Sequence, residues 1–169
     1  MMKQRVWLVA LLCVISGSAW ASDALTKYGL VLLQPESVLQ ERAPDINALA
    51  DYIKSLEQAG RGALAGKKEP SPSSGFIVVA VRPNQKSHIW LDLTPPLPPE
   101  GRDALLSSMR AVKPFYARGG TVVFALKVGI WGGRAPERAI PAPAEWAPVA
   151  REAGRPLEIG ELVDRVWKE

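Results

Sequence analysis

His88 is the only histidine of the chain, and on a strand it would share a face with Trp90 and Asp92. A histidine beside a carboxylate is the beginning of general-base or nucleophilic machinery, which also needs a nucleophile and an organised geometry around it. No serine elbow, no HExxH helix and no second histidine accompanies this one. The residues therefore favour a structural or solvent-facing His88, and no catalytic residue, metal ligand or cofactor is expected. Residues 62–68 (GALAGKK) resemble a phosphate loop, but the glycine spacing is one short and Lys67 is followed by Lys68 instead of Ser or Thr. A solvated turn is the simpler reading. The carboxylates Glu36, Glu41, Asp45, Asp51 and Glu57 are spread along expected loops and helix faces, where they cap and solubilise. A hydrolytic carboxylate pair is defined in space, so the sequence neither supplies nor removes one.

The aromatic residues suggest binding. Trp90 and Trp131 fall on the less apolar faces of their expected strands, and Phe115, Tyr116, Arg118 and Arg134 lie in turns at strand ends. Brought together, these six would form an exposed aromatic and arginine patch of the kind that anchors protein interfaces. The alternative is that the C-terminal segment, with Trp146 and Trp167, covers that face as ordinary core, because large aromatics are mostly buried.

The elements that must position these residues are legible from periodicity. Ile46, Leu49, Ala50, Ile53 and Leu56 form one helical stripe, with Asp45 as N-cap and Gly60 as exit, which predicts a helix over 45–59. Residues 28–33 are a short apolar run that suits a strand or a helical turn. Residues 76–82 (FIVVAVR) are apolar on both faces, as a covered central strand would be. A Pro83-Asn84 turn returns the chain through residues 87–93, giving an antiparallel hairpin over 76–93. The prolines of TPPLPPEG end the sheet and open a helix over 99–113, with Leu105, Leu106, Met109 and Val112 on its stripe. A last strand over 121–131 alternates Val122, Phe124, Leu126, Val128 and Ile130 toward one face. The expected fold is α+β: a small antiparallel sheet packed by the helices near 45–59 and 99–113. Residues 76–131 are its core, and a proline-rich and helical extension follows over 132–169.

The ends of the chain set the compartment. Lys3 and Arg5 precede the apolar run of residues 6–15, and the small-residue stretch that follows ends in Ala19-Trp20-Ala21. This is the order of a cleavable secretory signal, and a helix needs about 20 apolar residues to span a bilayer. Cleavage between Ala21 and Ser22 removes 21 of the 169 residues and leaves a mature domain of 148. The expected location is periplasmic or secreted, with no transmembrane anchor after processing. A lipoprotein anchored at Cys13 would want a small residue where Leu11 and Leu12 stand. Cys13 is the only cysteine, so processing also removes every thiol. Net charge falls from +4 to +2 as Lys3 and Arg5 leave, a balance that gives no support to nucleic-acid binding.

The pieces FIVVAVRPNQK, RDALLSSMRAVKPFYARGG and TVVFALKVGIW, in that order, resemble the C-terminal ββαβ domain of TonB-type energy transducers. The resemblance covers about a third of the chain, lies in topology and loose patterning, and implies a shared fold. The TPPLPP insert and the lack of an uncleaved anchor with a long proline-rich spacer depart from that family and speak against energy transduction. In overall format the chain is also similar to the periplasmic immunity proteins of type VI secretion. The leading expectation is a non-enzymatic domain that binds another envelope or secreted protein, including an effector to which it gives immunity. The alternatives are an enzyme or small-ligand binder centred on His88 and Asp92, and an envelope assembly factor that adds a strand to its partner.

Overall fold

The computed structural model describes residues 23–67 and 71–168, so the expected cleavage site at Ala21 and Ser22 and the Lys68 end of the glycine loop lie outside the described residues. Among the described residues four strands, β1 (Leu25–Leu32), β2 (Ser73–Val81), β3 (Ser87–Thr94) and β4 (Val122–Ile130), form one sheet in the order β1-β4-β2-β3. Every pairing is antiparallel. Among the described residues five helices pack against it: α1 (Glu36–Arg42), α2 (Ile46–Leu64), α3 (Pro99–Arg110), α4 (Trp146–Ala153) and α5 (Ile159–Val166). The chain is therefore α+β, with the expected hairpin and last strand in place. No helix among the described residues is long and apolar enough to cross a membrane.

Strand alternation divides the core in two. Ile77, Val79 and Val81 of β2, with Val122, Phe124, Leu126, Val128 and Ile130 of β4, face α2 and α3. Phe76, Val78 and Ala80, with Val123 and Ala125, face the opposite way, where Trp146, Leu162 and Val163 of α4 and α5 cover them. Both faces of β2 and β4 are thus dry, which is why their sequences are apolar at nearly every position.

Two differences from the periodicity reading have clear causes. Gly60 does not end α2, which runs on to Leu64. A Cβ at Gly60 would lie 3.0 Å from Leu25 and 3.3 Å from Leu105, so this glycine permits close packing of the helix. Of the two readings open for residues 28–33, the strand is the one found: residues 28–32 lie in the edge strand β1, which begins at Leu25 and adds a fourth strand to the hairpin and last strand. Their alternation is blurred by a bulge between Lys27 and Gly29 and by half-exposed apolar side chains.

Candidate functional site

Among the described residues β1 has one neighbour in the sheet, β4. Antiparallel ladders alternate, and the bond from the Trp131 N–H to the Ala24 carbonyl (3.1 Å) sets the phase, so that Thr26, Gly29 and Val31 face β4. The backbone groups of Leu30 and Leu32 consequently point outward. Their side chains lie on the α2 face, opposite Leu126 and Phe124, and remain 42% and 49% exposed. Beside Leu32 opens a groove of about 410 Å³ walled by Leu39, Ala43, Pro44, Ile46 and Leu49, with Glu36 and Gln40 at its rim. Ile46, on the first turn of α2, is 67% exposed. Asp45 caps that turn as expected, its Oδ1 accepting from the Asn47 and Ala48 N–H groups at 3.0 Å each.

A buried polar cluster fixes this edge in place. Gln34, just past β1, accepts from the Val123 N–H (3.0 Å) and donates to the Thr121 carbonyl (3.0 Å) and to Glu158 (3.2 Å). Its side chain thereby continues the ladder where the backbone leaves it. Arg42 donates to the same Thr121 carbonyl (2.9 Å), and the Thr121 hydroxyl donates to Asp164 (2.8 Å). Burial opposes ionisation of Glu158, but the Gly160 and Glu161 amides, Gln34 and Arg42 outweigh it and hold the carboxyl below its ordinary value. The cluster ties β1, α1, β4 and α5 together. Its members are ordinary polar residues scattered over 130 positions, and no sequence spacing marks them.

The six residues of the expected aromatic and arginine patch are not assembled. Trp90, Phe115 and Trp131 are buried, while Tyr116, Arg118 and Arg134 are exposed. Trp90 meets Trp146 edge-on at 5.7 Å on the α4 and α5 side, so the C-terminal segment does cover that face. Trp131 and Phe115 belong to the opposite cluster. Trp131 changes sides because it is not a strand residue: its φ of 50° breaks the alternation and turns the ring toward α3, where it packs on Gly101. Large side chains rarely take that conformation, and the sequence pattern contained no sign of it.

Nor do His88 and Asp92 pair. Four residues apart on one strand they are separated by roughly 13 Å. Asp92 instead accepts two bonds from Arg138 (3.0 and 2.9 Å) and one from the Ala142 N–H (2.7 Å). The His88 ring lies 4.4 Å from Trp90 and 5.4 Å from Trp167 between centroids. Burial pushes its pKa down, helped by Arg110 and Arg82 and opposed by Glu145. A shallow cleft of about 330 Å³ does lie beside it along β3, bordered by Arg102, Leu106, Arg110 and Glu145. The lining holds no serine, threonine, cysteine or lysine. Among the described residues no three His, Cys, Asp or Glu side chains group as metal ligands. Comparison with protein-family models, with curated proteins and with solved structures returns no match, which leaves the geometry of the two sheet edges and their grooves to carry the functional reading.

Proposed function

We propose that this chain is a non-enzymatic protein-binding domain of the cell envelope, which receives an extended segment of its partner as a fifth strand along β1. One observation carries the reading: an edge strand with outward backbone groups at Leu30 and Leu32 presents exposed leucines beside an apolar groove. Such an edge offers backbone hydrogen bonds for affinity and a groove for side-chain selection. The signal pattern of residues 1–21 supports the envelope as the place of action. The format shared with immunity proteins makes a secreted effector the first partner to try.

Immobilised residues 22–169 should retain one specific protein from a periplasmic extract, and the Leu30→Lys/Leu32→Lys double variant should lose it. Equal retention by both proteins would sink the β1 assignment. Turnover of a substrate by the purified domain, with no specific partner retained, would overturn the binding reading altogether.

A further inference from the structure

We propose that the segment received by β1 carries a large apolar side chain that enters the groove between α1 and α2, next to a lysine or arginine that meets Glu36. This rests on the strand-addition reading and names the chemistry of the partner. Three constraints lead to it.

The first is backbone direction. An extended chain matches the outward groups of Leu30 and Leu32 together, in the two-residue spacing of an antiparallel ladder. The second is side-chain direction. In a strand laid on β1, the residue opposite Leu32 projects to the α2 face, with its Cβ about 5 Å from that of Leu32. Leu32 itself forms one wall of the groove, so that neighbouring side chain lies over the opening. Leu39, Ala43, Pro44, Ile46 and Leu49 make the apolar part of the lining, and a polar side chain placed against them would lose its water without gaining a partner.

The third constraint is charge. Glu36 is the one charged residue among those lining the groove, and no lysine or arginine lines it. Gln40 donates to Glu36 Oε1 at 3.0 Å, which holds the carboxylate at the rim without neutralising it. Asp45 stands between the lining residues Pro44 and Ile46 and adds a second negative charge. The nearest guanidinium in the sequence, Arg42, is bonded to the Thr121 carbonyl (2.9 Å) and would have to leave it to reach the rim. A cation on the incoming strand is therefore attracted and an anion repelled. The cleft along the β3 edge differs in mixing charges, with Arg102, Arg110 and Glu145 at its border.

The test uses two fluorescein-labelled peptides with the same Val-Leu-Val-Leu-Val centre, one flanked by lysines and one by glutamates, titrated with residues 22–169 and read by anisotropy at low salt. The lysine-flanked peptide should bind about tenfold tighter or more. Glu36→Gln should shrink that preference and Glu36→Lys should reverse it. Leu32→Asp should abolish binding of both peptides, with an unchanged thermal unfolding midpoint showing that the fold is intact. Equal binding of the two peptides, binding of neither, or a preference indifferent to residue 36 overturns the inference. In each of those cases the strand-addition reading is still decided by partner capture with the Leu30→Lys/Leu32→Lys variant. A sedimentation-detected dimer that Leu32→Asp dissociates also overturns the inference, because it makes a second copy of this chain the occupant.

Discussion

At the β3 edge of the sheet, Asp92 is clamped by both guanidinium nitrogens of Arg138 and by the Ala142 N–H, and Pro95 and Pro96 follow directly after the strand. At the β1 edge, Leu30 and Leu32 stand in the open with no charge between them. Edge strands template unwanted pairing, and folded proteins blunt them with inward charges, prolines, bulges or covering loops. β3 carries three of these devices. β1 is guarded at its start, by Lys27 paired with Glu57 (2.8 Å), by Arg61 donating to the Leu25 carbonyl (3.0 Å) and by the bulge near Tyr28, whose hydroxyl donates to the Gly133 carbonyl (2.8 Å). Its Leu30 to Leu32 end carries none of these devices. The contrast teaches that guarding is selective here. An apolar, unguarded stretch at one edge while the other is heavily protected is what the proposed strand addition requires.

The comparison breaks most visibly from the C-terminal layer. Trp146→Ala removes the largest side chain by which α4 seals Trp90 and Phe76, and should destabilise the fold by about 3–5 kcal/mol in urea unfolding. Amide exchange should then quicken along β3 before it changes along β1, which α2 also supports from the opposite face of the sheet. Simultaneous opening of both edges would show that they are one cooperative unit and not separately guarded. Asp92→Ala acts on the guard alone. It should cost about 1 kcal/mol, since Arg138 is nearly half exposed and the bonds are partly screened. It should also introduce concentration-dependent association in sedimentation, which the parent edge resists; a strictly monomeric variant would deny Asp92 that role.

Much of this arrangement was legible in the sequence, and the rest was hidden for physical reasons. β2, β3, β4, α2 and α3 bury whole faces, so their periods are written in apolar residues. α1 has seven residues, a single buried leucine and no side-chain cap at Pro35, too little to impose a period. β1 is half exposed and bulged, so the run YGLVLL shows apolar residues without alternation. The proposed binding edge was thus among the least readable elements, because a surface awaiting a partner does not alternate between core and water. The aromatic patch failed for the converse reason: residue type suggested an interface, but burial is decided by what covers a face. Trp146, Leu162 and Val163 cover that of Trp90, and the positive φ of Trp131 sends its ring to the other layer.

A smaller effect separates the edges by pH. His88 sits on β3, and burial lowers its folded-state pKa below 6.5, so between those two values the unfolded chain binds more protons than the folded one. Stability should be highest above pH 6.5, fall as the pH drops below it, and level off below the folded pKa. Glu158 and Glu161, whose carboxyls are held below 4.5, add their own loss only at lower pH. Thermal unfolding midpoints from about pH 8 to about pH 5 should follow this curve, and His88→Gln should flatten it. A parent protein with no slope in that window would mean that His88 is not stabilised in its neutral form.

The smallest stability change is the sharpest test of β1. Leu30→Lys/Leu32→Lys introduces on β1 the kind of charge that guards β3, at two side chains already 42% and 49% exposed. Long lysine stems can lie along the apolar surface while their ammonium groups reach water, so the unfolding free energy should move by no more than about 0.5 kcal/mol. The surface itself should change far more. Binding of an apolar-surface dye and any tendency to associate should fall, because Leu32 is an exposed part of the groove wall and Leu30 lies exposed on the same face of β1. A loss of several kcal/mol would place Leu30 and Leu32 inside the working core of α1 and α2, and β1 would then be an edge that is incompletely covered. Near-neutral stability joined to a lost surface would mark two leucines whose exposure serves something other than folding.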